Sequence, residues 1–390
     1  MNKGPTDAER VRSLRDVLTV TGAGIYLSTH LAGPIPAEVL AAVHESDELE
    51  LRVGRVGPDR EDDLQQREKE ARAVAAAAIK ATPERIVLTH GAPEAISAVA
   101  LAILGRTARS AAGMTPCLLV IDGVAPALTT ALEAVAAASG ARLERLDAPP
   151  RTVAADVALL LMSHVDRDGN LADVARMAES AHRVGASLVV DASLSIGVIP
   201  LDVATCGADV LIADTDRWLL GPNAMTLVWL SADLGDEAAT RLRAAVGPFG
   251  RGALLALARS VGWLLMYVDL PWVLARTLEL SGRLHVALAA IDGVELLTQT
   301  HRSAALMAFR IADWDAPQAA EELSRSVFAI VEADAERDVL RISVGAWNRE
   351  DELERFIARV AELASATPET LLRRPSLTVL SGADLEDDPG

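Results

Sequence analysis

Lysine is nearly missing from this chain. Its 390 residues hold three, Lys3, Lys69 and Lys80, against 34 arginines, and residues 81–390 contain none. A lysine amine condenses with an aldehyde; a guanidinium, protonated at any biological pH, does not. Chemistry run through a lysine beyond residue 80 is therefore excluded. Aromatic residues are also scarce, at 3% of a chain that is 51% apolar, so its cores must be built from Ala, Leu and Val. The two cysteines, Cys117 and Cys206, form neither a disulfide framework nor a metal pair. HxH and HExxH spacings do not occur, and no metal site is expected. Basic clusters are missing from a chain of net charge −18, so neither nucleic acid nor an anionic membrane is an expected partner. No apolar run is expected to span a membrane: the most apolar helical stretch, residues 252–276, is interrupted by Arg259 and Asp269. The opening MNKGPTDAER carries no signal-peptide core, and a cytoplasmic location is the expectation.

What is present is an alternation. From residue 36 onward, amphipathic helices such as EDDLQQREKEARAVAAAAIKA alternate with short apolar strands: RIVLTH, CLLVID, VALLLMSH, SLVVDA and DVLIAD. This pattern predicts an α/β fold with a doubly wound, mostly parallel sheet over residues 36–250. Continuous apolar runs such as VALLLM and SLVV are what parallel strands covered on both faces require. A long helical stretch to about residue 291 follows, then strands ALMAFRI, VFAIVEA and DVLRISVG and a closing helix. These predict a smaller α+β domain over residues 256–365. Residues 1–35 are expected to form an arm packed on that domain, and the tail from residue 366 to be disordered.

Sheets of this kind take ligands at the carboxyl ends of their strands. Those ends carry Thr89-His90-Gly91, Ser163-His164, Asp191 and Asp214 to Arg217. The order and spacing of THGAPEAI, SHVDRDGN, VVDASLSIGVIPLDV, GADVLIADTDRWLLGP and LRISVGAWNREDELERF resemble the class V aminotransferases over residues 24–364. These are pyridoxal phosphate (PLP) enzymes that include cysteine desulfurases and isopenicillin N epimerase. The resemblance implies the type I PLP-transferase fold and a homodimer whose pockets are completed by the neighbouring subunit. It implies that Asp191 pairs with a pyridine nitrogen and that Arg341 grips a substrate carboxylate. It also places Gly91 and Ala92 in a phosphate cup, and a cofactor-anchoring lysine at position 217. This chain departs from that pattern in several places. Arg217 replaces the lysine, Pro93 replaces a hydroxyl residue of the cup, Ala125 and Pro126 stand where a ring should stack, and Leu194 stands where Gln or His is usual.

Three expectations follow. The first is a PLP-independent enzyme acting on a small carboxylate-bearing or amino-acid-derived substrate, with no cofactor. The second is an inactive homologue serving as a binding or regulatory subunit. The third is a transferase or lyase that uses PLP or pyridoxamine phosphate (PMP) noncovalently. His90 and His164, read as ending neighbouring strands, are the candidate acid and base. They form the catalytic set with Asp191 and Arg217. Arg341 and His30 are the candidate binding residues for a small anionic molecule. Arg341→Ala is accordingly expected to weaken ligand binding by about 1.5–3 kcal/mol with folding intact.

Overall fold

The computed structural model describes residues 6–110, 115–234, 236–300 and 303–371. An N-terminal arm carries helix α1 (Asp7–Val17) and strand β1 (Ile25–Tyr26), and α1 begins at a Thr6–Glu9 capping box. Helices α2 (Ala37–Val53) and α3 (Pro58–Ala78) lead into the large domain. There β2 (Ile86–Thr89), α4 (Ala92–Ser110), β3 (Cys117–Ile121), α5 (Pro126–Ser139), β4 (Arg142–Leu146) and β5 (Val157–Ser163) follow in turn. Next come α6 (Val174–His182), β6 (Ser187–Asp191), β7 (Val210–Asp214), β8 (Thr226–Leu230), α7 (Asp236–Ala245) and α8 (Arg251–Trp263). The seven strands pair in the order β2-β8-β7-β6-β5-β3-β4. All neighbours are parallel except at β8, which runs antiparallel to both β2 and β7. The expected doubly wound, mostly parallel sheet is present.

Two of these strands escape a periodicity reading, for opposite reasons. RLERL of β4 lies at the sheet's edge and is half-exposed, so its charges face water and keep the edge from pairing further. TLVWL of β8 is wholly buried, but it runs against its neighbours and so breaks the strand–helix alternation. In β3 and β5 every residue is buried, with helices covering both faces.

The long helical stretch is not one helix. After α8 the chain makes a π-helical turn, Leu264–Val268, and Asp269 adopts a left-handed conformation (φ 78°) before Pro271 opens α9 (Leu270–Ala289). Leu254, Leu257 and Val261 of α8 join the core of the large domain beside α2 and α3, so that core extends past residue 256. By length and composition Arg251–Val268 could cross a membrane; here it packs against the protein's own helices. Met266 and Tyr267 are its exposed large apolar side chains.

The second sheet is antiparallel, in the order β12-β13-β10-β9. Its strands are β9 (Val294–Leu296), β10 (Leu306–Ile311), β12 (Glu332–Asp334) and β13 (Val339–Ser343). Helices α9, α10 (Ala316–Val327) and α11 (Glu350–Ala364) cover it through Leu280, Leu284, Phe309, Leu323, Ile342 and Phe356. The arm docks here, because β1 pairs in parallel with β11 (Ala329–Ile330). Residues 366–371 form a turn after α11, and the rest of the expected tail lies outside the described residues.

Candidate active site

Strands β5, β6 and β7 are adjacent and parallel, so they deliver His164, Asp191 and Asp214 to one edge of the large sheet. The His164 backbone N–H donates to the Asp191 carbonyl (2.9 Å), which fixes the two residues side by side. Asp191 is buried, and its Oδ1 accepts the Ser193 N–H at 3.0 Å. Burial raises its carboxyl above the ordinary aspartate range, against the opposing pull of Ser193 and of the Arg217 charge. Asp214 accepts from Thr226 Oγ1 (2.7 Å) on one oxygen and from Arg217 Nη2 (3.2 Å) on the other. Asp216 is half-buried and its carboxyl is also raised, by burial and by the neighbouring Asp214. Arg217 therefore stands among three carboxylates, and its buried Nε has no hydrogen-bond partner. His164 is held mostly neutral by burial, and its buried Nδ1 is likewise without a partner.

Behind Arg217 the chain is apolar. Trp218 and Leu220 pack with Trp347 in a small cluster, and the Trp218 indole donates to the Val344 carbonyl (3.4 Å) across the two sheets. In front of it passes the arm: the Gly33 N–H donates to the Asp216 carbonyl at 2.6 Å. A Cβ on Gly33 would lie 2.0 Å from the Arg217 carbonyl and 2.6 Å from Leu220 Cδ2. Gly33→Ala is expected to cost about 1–3 kcal/mol of stability through this clash. Limited proteolysis of the arm should show it released; an arm protected as in wild type would refute the contact.

His30 follows the arm into the same region and is fully buried. Its Nε2 lies 2.7 Å from Glu332 Oε2, and its Nδ1 lies 2.9 Å from Ser343 Oγ. Burial keeps the imidazole neutral, and a carboxylate can only accept. Nε2–H therefore donates to Glu332, and Ser343 donates to Nδ1 while accepting the His30 backbone N–H (3.0 Å). Arg341, on β13, is buried too; its Nη1 donates to the same Glu332 oxygen (2.7 Å) and its Nε to the Arg167 carbonyl (2.9 Å). Arg217 is close enough for its charge to act on both His30 and Arg341.

The structure thus gathers His164, Asp191, Arg217, His30 and Arg341 at one sheet edge, but it does not set His90 beside His164. His90 ends β2, and β8, β7 and β6 separate it from β5, so it and His164 do not end neighbouring strands. Four strand spacings of about 4.8 Å put it roughly 19 Å from His164 along the edge, and two spacings put it roughly 10 Å from β7, which leads to Arg217. Its ring stacks on Phe249 (4.0 Å between centroids, 27° between planes) and faces the Gly247 carbonyl at 3.1 Å. His90→Ala is expected to change ligand affinity at the Arg217 pocket by no more than about twofold, as distant independent sites do. A loss beyond that, by equilibrium titration, would contradict the placement. Gly91 (φ 108°) and Ala92 make the turn into α4. Pro93 withholds an N–H there, and the Glu94 carboxylate already accepts the His90 N–H at 2.6 Å.

Glu332 was not evident among the polar residues of the strand ends. A signal existed nonetheless: the hairpin EADAERDVLR, closed so that Asp334 faces Val339, sets Glu332 directly across from Arg341.

The "Aminotransferase class-V" family profile matches residues 25–245, more than half the chain. The chain belongs to the class V aminotransferase family. It is 38% identical over 82 residues to the uncharacterized aminotransferase YcbU of Bacillus subtilis (strain 168), covering 21% of this chain and 22% of YcbU. The chain spans less than a quarter of two curated relatives that it matches at over 30% identity. A probable cysteine desulfurase of Methanothermobacter thermautotrophicus is 22% identical over 349 residues, covering 81% of this chain and 85% of its own length. Among solved structures, a mutant of the cystine C–S lyase C-DES with glycine covalently linked to the PLP cofactor superposes with a TM-score of 0.79. It is 16% identical, covering 89% of this chain and 98% of the other, a likeness of fold.

This membership corrects the expectation that no cofactor is involved, because the family and the neighbouring structures are those of PLP proteins. The residues present nevertheless do not fit a cofactor anchored through lysine. A guanidinium held by Asp214 occupies the end of β7, and the start of α4 is short of one N–H and faced by Glu94.

Proposed function

We propose that this class V aminotransferase-family protein holds its ligand by noncovalent contacts alone, at Arg217. The ligand class is a small anion: an amino-acid-derived carboxylate, or the phosphate ester of a pyridoxal- or pyridoxamine-type cofactor. One observation carries the reading, the Arg217 guanidinium beyond β7 with a buried, unpartnered Nε. The C-DES mutant supports it, since a lysine-to-alanine protein of this fold still holds PLP with glycine linked to it. Beside the anion, His164 supplies a neutral base with a free buried Nδ1, which favours an enzyme over a binding module. The same reading makes the protein a homodimer, with Met266 and Tyr267 as apolar side chains for a second subunit to cover.

Equilibrium dialysis against propionate and pyridoxamine phosphate tests the site. Hydrogen bonds to a charged group are worth about 1.5–3 kcal/mol. Arg217→Ala should therefore weaken binding of both by about tenfold or more. Affinity unchanged in Arg217→Ala would remove Arg217 from the ligand site and with it this reading.

A further inference from the structure

Arg341 is not open to a ligand as it stands. The hairpin register sets Glu332 against it, and Oε2 of Glu332 accepts from both Arg341 Nη1 and His30 Nε2, each at 2.7 Å. One carboxylate thus joins the arm, β12 and β13. A purely structural counter-ion in such a place would be expected to use both oxygens and to be as buried as its partner. Glu332 does neither. Among the described residues its Oε1 takes part in no hydrogen bond, and its side chain is 21% exposed against 8% for Arg341. A short swing would return it to water, leaving Arg341 Nη1 free beside Arg217, which already has an unpartnered Nε.

We propose that Glu332 is a built-in competitor, an internal carboxylate occupying Arg341 that an incoming acid must displace. The idea rests on the Arg217 pocket being the ligand site, and it assigns that site two anion-binding arginines: Arg217, paired with Asp214 through Nη2 but with its Nε unpartnered, and Arg341, occupied by Glu332. It also gives the pocket a selectivity. Ligands with one anionic group are satisfied by Arg217 alone, whereas those with two must pay the cost of moving Glu332. His30 acts as a positioning residue, since its neutral Nε2–H holds Glu332 on Arg341.

The test compares binding of propionate and succinate, by calorimetric titration, to wild type, Glu332→Gln and Glu332→Asp. Glutamine keeps the shape of the side chain without its charge, and aspartate keeps the charge but draws it back from Arg341. Both variants should bind succinate about tenfold tighter than wild type, as expected when a competing charged hydrogen bond is removed. Propionate affinity should stay within about twofold. The succinate gain should disappear when Glu332→Gln is combined with Arg341→Met, a replacement of the whole pair that buried-pair energetics tolerate. Thermal melts establish that each variant is folded, and Glu332→Asp carries the test if Glu332→Gln is not. No gain in either variant overturns the proposal while wild-type binding through Arg217 stands. No binding of either acid by wild type or any variant overturns the Arg217 reading together with it.

Discussion

Arg217→Lys is expected to turn a protein that forms no covalent pocket adduct with pyridoxal phosphate into one that forms a single adduct per chain. The substitution places the only amine beyond residue 80 at the end of β7. The surroundings are already shaped for a cation there: Asp214 offers a carboxylate oxygen that Arg217 now uses at 3.2 Å, and Trp218 and Leu220 fix the backbone from behind. The same carboxylates favour the ammonium form, so the reactive neutral amine should be scarce near neutrality. Adduct yield should rise toward the ordinary lysine pKa of about 10. Borohydride reduction followed by peptide mapping reads the result directly. A folded Arg217→Lys protein with no adduct at residue 217 would show that the pocket does not admit the ligand.

Arg341→Ala should lower stability by about 3 kcal/mol, at the low end for breaking a buried ion pair because water reaches Glu332. This revises what the sequence suggests for Arg341, a ligand grip removable with folding intact. The buried guanidinium also holds the Arg167 carbonyl, so it ties the loop after β5 to the small sheet. Acidity should act on the same group of residues. Burial lowers the His30 pKa from the ordinary 6.5. Burial pushes Glu332 up, but its hydrogen bond from His30 and the Arg341 charge more than offset that and leave its carboxyl below the usual range. Both groups bind protons more weakly in the folded state than in the unfolded one. Their contributions are thus complete above the unfolded pKa values and are lost as pH falls through the folded ones. Wild-type stability in urea should therefore fall as pH drops below about 6.5, and Arg341→Ala, whose Glu332 is no longer held down by that charge, should lose less across the carboxylate range. An Arg341→Ala protein as stable as wild type would make the His30–Glu332–Arg341 contact incidental.

Most of the large domain can be read from the chain, because a parallel strand buried on both faces leaves an unbroken apolar run, as in Leu159–Met162 and Leu188–Val190. The antiparallel β8 could not be read that way, and the order of strands along the chain does not reveal that β8, β7 and β6 lie between β2 and β5, so His90 is no neighbour of His164. The end of the large domain was equally hidden. Leu254, Leu257 and Val261 look like the start of one long helix with α9, and only packing shows that they belong to the earlier core. Within the site, local sequence placed Asp191, Arg217 and Arg341 at strand ends; Asp191 does end β6 and Arg217 lies three residues past β7, but Arg341 sits in the middle of β13. Their protonation and pairing depend on burial and on contacts far along the chain, such as His30 with Glu332, 302 residues apart. Composition led furthest astray on the cofactor: the missing lysine removes an anchor, and family membership places the chain among PLP proteins all the same.

Intact-mass analysis of wild-type protein after incubation with pyridoxal phosphate, borohydride reduction and dialysis tests the noncovalent pocket most directly. The expected result is pyridoxal phosphate that binds before reduction, competes with propionate, and leaves no adduct at the pocket after dialysis. A stoichiometric adduct on Lys69 or Lys80 that supports turnover would contradict the account.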